Sequence, residues 1–231
     1  MMMSEKKRAR SDEAKAQKRA MLIATARQLF AVNEFAAITV DSIAAEAKIA
    51  KGTFFLYFST REELFLALAK ELFSGFFDDM LAAIVKDDDR STQALKALLC
   101  NSLFHRTELM RMMTLLNVLI EKNVSLEALM DFKLYLHSGL VTIGAAAQKR
   151  FPFLAAAGGG TRFFFWLYGI IVGFQNLAPP AACAGLLVNA EGLNAFRFDF
   201  ASEFDSFIDL FLDGIAAGND RKPGSSRSIR A

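Results

Sequence analysis

Proline is scarce in this chain of 231 residues: only four occur, and two of them, Pro179 and Pro180, are adjacent. Proline blocks helix interiors, so its scarcity permits long uninterrupted helices. Cysteine is scarcer still. Cys100 and Cys183 stand apart, without CxxC or metal-ligand spacing, which excludes a disulfide-stapled fold and suits two apolar thiols in a reducing compartment. His105 and His137 are the only histidines. They fall in different predicted helices, and neither has a carboxylate or second imidazole at ligand spacing, so no metal site is expected. Walker, GxSxG, HExxH and dinucleotide fingerprints are all missing, which leaves no catalytic class and no cofactor indicated. Neither β alternation nor an internal repeat is found.

A membrane-length hydrophobic run is also missing. No charge occurs between Arg162 and Glu191, yet the continuous apolar stretch is only Phe163 to Phe174 before Gln175-Asn176. A spanning helix needs about 20 such residues. A shorter helix apolar on every side is instead expected to be buried twice, against its own core and against a partner subunit. The first residues, MMMSEKKRARSDEAKAQKR, contain no hydrophobic signal region, so a cytoplasmic location is expected.

What the chain does have is hydrophobic material and an uneven charge. Hydrophobic residues make up 53% of it, ample for a core, a cavity or a large interface. Residues 1–61 hold 11 Lys and Arg against six Asp and Glu, whereas residues 62–218 hold 12 against 18. A basic head on an acidic body suits a protein that directs one end at phosphate.

Periodicity predicts an all-α chain. Residues 1–11 read as a flexible basic arm, and a helix follows over 12–32, with Leu22, Ile23, Ala26, Leu29 and Phe30 on one face. Thr39 can cap a short helix reaching Ala47. Another short helix covers 51–57, and Ser59 with Glu62 reads as the capping box of a long helix to about Lys86. Further helices are expected over about 91–104, 107–121, 124–150, 161–178 and 199–217, with loops at Ala155–Gly160 and about 179–198 and a disordered tail over 219–231.

The stretch TVDSIAAEAKIAKGTFFLYFSTREEL, residues 39–64, is the informative one. Two short crossed helices need a small residue where they touch, and Ala44 supplies it. They need apolar residues to lock them, and Ile43, Ala47, Ile49 and Phe54 do so. The second helix must offer polar and aromatic groups, and Lys51, Gly52, Thr53 and Tyr57 are available.

These residues resemble the N-terminal signature of the Tet repressor (TetR) family. IAAEA (43–47), IAKGTFF (49–55), YF (57–58) and TREEL (60–64) follow its pattern over about 50 residues; the rest of the chain matches in architecture alone. The resemblance implies a three-helix DNA-binding domain with a helix-turn-helix over 12–59, followed by a helical effector-binding and dimerisation domain over 60–218, about nine helices in all. It implies that Thr39 caps its helix and touches a phosphate, that Lys51, Gly52 and Thr53 approach base edges, and that Tyr57 and Arg61 contact phosphates. An Arg guanidinium is chemically suited to that clamp. Phe55 stands where the family often has Tyr, so one phosphate-directed hydroxyl is absent. Lys48 stands where the turn usually carries Gly, which tolerates positive φ; the cost is ~1 kcal/mol. The basic arm, with Lys6, Lys7, Arg8 and Arg10, is expected to follow the DNA backbone or enter the minor groove, a solvated tail being the alternative.

Two further expectations concern the body. Phe73, Phe77, Met80, Phe104, Met110, Met113, Leu116, Asn117, Phe132, Tyr135 and Phe165 are candidates to line a pocket for a small apolar effector; ordinary core packing is the alternative for each. Trp166, Ile170, Phe174, Phe204, Phe207 and Phe211 are candidates for a four-helix homodimer contact. The expected partners are thus double-stranded operator DNA, a second copy of the chain and an apolar effector, with no membrane. A helical small-molecule-binding or membrane-associated protein without DNA binding is the rival reading.

Overall fold

The structure, a computed structural model, describes residues 2–177 and 198–219. The Pro179-Pro180 loop, Cys183 and the tail beyond Asn219 lie outside the described residues. Nine α-helices and no strand occur among the residues described: α1 Met2–Val32, α2 Val40–Glu46, α3 Lys51–Phe54, α4 Arg61–Lys86, α5 Thr92–Leu103, α6 Thr107–Leu115, α7 Leu126–Arg150, α8 Gly160–Leu177 and α9 Phe200–Asn219. None of them is long and apolar enough to cross a membrane.

Two boundaries differ from expectation. Helix α1 continues back to Met2, so residues 2–11 are helical and not an unstructured arm. Met, Glu, Lys, Arg and Ala make up most of that segment, and no Gly or Pro interrupts it. The helix expected over 107–121 ends early: α6 stops at Leu115, and a single wide π turn, Leu116–Ile120, follows.

The chain divides into two compact units, one formed by residues 1–74 with Arg111–Leu136, the other by Gly75–Met110 with His137 onward. Helix α4 runs unbroken from Arg61 to Lys86, and its first half belongs to the unit that holds the helix-turn-helix. In the first unit Phe65 meets Phe30 and Phe35 edge to face, with centroids at 5.6 and 4.8 Å. Such pairs add roughly 0.5–1.5 kcal/mol each beyond area burial.

In the second unit α7 and α8 cross backbone to backbone. A Cβ on Gly144 would strike Thr161, and one on Gly160 would strike Gly144, so both positions exclude a side chain. Phe163, Phe164, Leu167 and Ile171 form the buried side of α8, and Phe204, Ile208, Leu212 and Ile215 that of α9. A stacked Phe163–Phe211 pair at 5.8 Å joins the two helices.

Candidate nucleic-acid interface

The first turn of α2 is locked by its own side chains. Thr39 Oγ1 accepts from the Ser42 amide at 3.1 Å, and Ser42 Oγ accepts from the Thr39 amide at 2.9 Å. This reciprocal pair satisfies two amides that helix geometry leaves without partners. Thr39 is exposed at that corner.

The turn out of α2 confirms the demand placed on Lys48. Its φ is +56°, the one positive value at a non-glycine residue among those described. The Lys48 amide donates to the Ala45 carbonyl at 3.1 Å, and the Ile49 amide to the Ala44 carbonyl at 3.0 Å. This is the Schellman arrangement, which needs a left-handed residue after the cap. Lys48→Gly should relieve the side-chain penalty and stabilise the fold by about 1 kcal/mol, raising Tm by roughly 2–4 °C in a thermal melt.

Ile43, Ala44 and Phe54 are buried between the crossed helices. The other faces of α3 and its following turn look outward. Lys51, Gly52, Phe55 and Leu56 are exposed, and Thr53 and Tyr57 are half-buried. Lys51 Nζ lies 2.9 Å from Asp41 Oδ2, which places the start of α3 beside the start of α2. Both groups are largely exposed, so this pair contributes little to stability. Arg19 lies over the Phe58 ring at 4.8 Å and braces α1 against the end of the recognition segment.

The Arg61 guanidinium is engaged within the protein. Its Nη1 donates to the carbonyls of Phe35 at 3.2 Å and Ile38 at 2.5 Å. Its Nε and Nη2 donate to Glu62 Oε1 at 3.0 and 2.7 Å. The guanidinium also lies over the Phe35 ring at 4.2 Å. Arg111, unremarkable in the sequence, does the same on the neighbouring turn: Nη1 donates to the Phe30 carbonyl at 2.8 Å, Nη2 to the Asn33 carbonyl, and the guanidinium covers the Phe30 ring. Two arginines thus hold four carbonyls in the connection between α1 and α2, those of Phe30, Asn33, Phe35 and Ile38.

The cap of α4 is Thr60, one residue later than expected. Thr60 Oγ1 accepts from the Glu63 amide at 3.0 Å, and Glu63 reaches back to the Ser59 amide at 3.2 Å. Glu63 also accepts from the Ser125 hydroxyl at 2.9 Å. Partial burial pushes the Glu63 carboxyl up, but the hydrogen bonds from Ser125 and Ser59 outweigh it and hold the group below its ordinary value of 4.5. A depressed carboxylate stabilises the fold above its unfolded pKa, and that contribution is lost as pH falls through the lower folded value. Glu63→Gln should therefore lower stability at pH 7 and flatten the acid limb of Tm against pH below about 4.5.

The body residues divide. Phe73, Met113, Leu116 and Phe132 are buried in the first unit, where Phe73 and Phe132 meet at 6.3 Å, and the Tyr135 hydroxyl donates to the Lys70 carbonyl at 3.1 Å. Phe77, Met80 and Met110 are buried in the second, and Phe104 packs on Phe200 and Phe204. Asn117 and Phe165 are exposed, so neither lines an interior pocket. Asn117 sits on the outward side of the π turn, and Phe165 lies opposite the buried edge of α8. Phe204 is fully buried against Phe104 and Phe200, which removes it from the expected subunit contact. Trp166, Ile170, Phe174, Phe207 and Phe211 keep partly open positions, with Phe174 on Phe207 at 5.5 Å and Trp166 on Phe211 at 6.3 Å.

Comparison with known proteins matches both parts of this architecture. Residues 22–68 fit the model of bacterial regulatory proteins of the tetR family, and residues 70–219 fit that of the tetracyclin repressor-like C-terminal domain. The chain belongs to the TetR family. It is a transcriptional regulator that carries the DNA-binding domain of that family. It is similar to the HTH-type transcriptional regulator YuxN of Bacillus subtilis strain 168, at 34% identity over 82 residues, 36% of this chain and 28% of the relative. The match thus spans under a third of that relative's length. A TetR regulator from Rhodococcus sp. RHA1 has the same fold at 19% identity, with a TM-score of 0.51, covering 87% of this chain and 96% of that one. A possible TetR-family regulator from Streptomyces coelicolor A3(2) gives 20%, a TM-score of 0.50, and coverage of 86% and 98%.

Proposed function

We propose that this TetR-family chain is a homodimeric repressor that binds operator DNA and is released by a small apolar effector. The observation that carries the reading is the exposed face of residues 51–57, set by a capped α2 and a Schellman turn on a chain whose α8 and α9 keep a second, open apolar side. Phe165 is 63% exposed, Trp166 37% and Leu210 76%, which is costly for a monomer and suits a face covered by a second copy. Two copies would present two recognition segments to successive major grooves, about 34–36 Å apart on one side of the duplex. An effector seated among the buried Phe and Met of the body would act through α4, which contributes to both units, and would bias the dimer towards a spacing that no longer fits both grooves.

The test is selection of duplexes from a random pool by the full-length chain, followed by gel retardation and light scattering. A retained duplex, bound by a species of twice the 25.5 kDa chain mass, is expected. A species of 25.5 kDa that retains no duplex at low salt refutes the reading.

A further inference from the structure

We propose that the recognition segment reads its operator chiefly through thymine methyl groups, using Phe55 and Leu56. The inference rests on the DNA-binding reading above and adds what that surface recognises.

Specific readout of guanine or adenine draws on Arg or Lys, and on Asn or Gln, as bidentate donors and acceptors. Residues 51–57, Lys-Gly-Thr-Phe-Phe-Leu-Tyr, contain no Arg, Asn, Gln, Asp or Glu. The one cationic group, Lys51, is engaged by Asp41 at 2.9 Å. Thr53 and Tyr57 are half-buried. What the segment holds out to solvent is apolar: Leu56 is 79% exposed and Phe55 49% exposed. Phe55 is steadied by the buried Phe54 ring, edge to face at 5.4 Å, and the Leu56 amide is fixed on the Thr53 carbonyl at 3.2 Å. Two adjacent, positioned apolar side chains continue the same face as Lys51 and Gly52. The major groove of DNA offers one apolar group, the C5 methyl of thymine. A half-site rich in thymine on the contacted strand is the surface that matches them.

The experiment uses the full chain and the duplex it selects from the random pool. Thymines in each half-site are replaced one at a time by deoxyuridine, which removes the methyl and leaves every hydrogen-bonding group of the base pair. Binding by the wild type should weaken about fourfold for each contacted methyl lost, the equivalent of one buried methyl group. The double variant Phe55→Ala, Leu56→Ala should bind more weakly and show no further loss on the same replacements. Both side chains are exposed, and the deoxyuridine series on the wild type reads the contact even if the variant is unstable. Wild-type affinity that is indifferent to deoxyuridine, on a duplex the chain does bind, overturns this proposal alone. A chain that selects no duplex overturns the DNA-binding reading and this one with it.

Discussion

Gly52→Leu should leave the fold intact and abolish operator binding. An ideal Cβ built on Gly52 meets nothing within 4 Å, and its φ lies outside the left-handed region. Nothing in the protein therefore requires glycine there. Glycine inside a helix costs roughly 0.5–1 kcal/mol relative to alanine, so Gly52→Ala should raise Tm by about 1–4 °C. A residue that costs stability and fills no structural need is explained by something that approaches from outside. In a duplex-bound dimer that neighbour is the wall of the major groove. Filling a close-packed contact costs typically 1–3 kcal/mol, about 5- to 150-fold in affinity, and a dimer would meet the clash twice. We expect Gly52→Ala to weaken binding about tenfold and Gly52→Leu at least a hundredfold, with unchanged dimer mass. Wild-type affinity in Gly52→Leu would show that the segment does not enter a groove.

Legibility in the sequence followed the range of the interactions. The helix-turn-helix was readable because its determinants are local. Thr39 and Ser42 lie three residues apart, and the Lys48 turn closes within six. Phe54 follows its partners Ile43 and Ala44 by about three helical turns. The positive φ at Lys48, implied by the glycine that the family usually carries there, is present. The internal partners of Arg61 were not legible because they include the backbone carbonyls of Phe35 and Ile38, and a carbonyl has no signature in sequence. Arg111 was invisible for the same reason, at a separation of about 80 residues. The capping box of α4 was displaced by one residue because Ser59 and Thr60 are chemically equivalent candidates, and only the backbone selects between them.

The body was legible as helices but not as faces. A helix apolar on every side gives no periodic clue to which side meets its own core. Phe204 and Phe207 are both aromatic residues of α9, yet Phe204 is fully buried and Phe207 remains partly open. Phe164 and Phe165 diverge in the same way on α8, the first 3% exposed and the second 63%. Spacing could assign these residues to a helix. Deciding between pocket, core and interface needed the neighbouring helices.

Arg61→Ala should lower stability sharply while leaving the salt dependence of operator binding unchanged. The guanidinium, 22% exposed, serves the Phe35 and Ile38 carbonyls, the Glu62 carboxylate and the Phe35 ring at once. Removing it strands the Ile38 carbonyl, leaves the Phe35 carbonyl with the Ile38 amide alone, and leaves Glu62, itself 16% exposed, without its cation. Lost hydrogen bonds to a charged donor cost about 1.5–3 kcal/mol each before relaxation. Partial solvent access reduces the whole to about 2–3 kcal/mol, a fall in Tm of roughly 4–12 °C. Arg61→Lys should not rescue it, because a single ammonium cannot reach carbonyls and carboxylate on three sides as a planar fork does. A phosphate clamp behaves otherwise. Its loss would leave Tm nearly unaltered, remove about 0.9 from the slope of log affinity against log salt for each phosphate released, and be largely restored by lysine. The two measurements, a melt and a salt titration, separate the roles: a stable Arg61→Ala chain with a shallower slope would place this residue on the DNA after all, and an unstable one with the wild-type slope places it where the geometry does, holding the start of α2 in the orientation that presents α3.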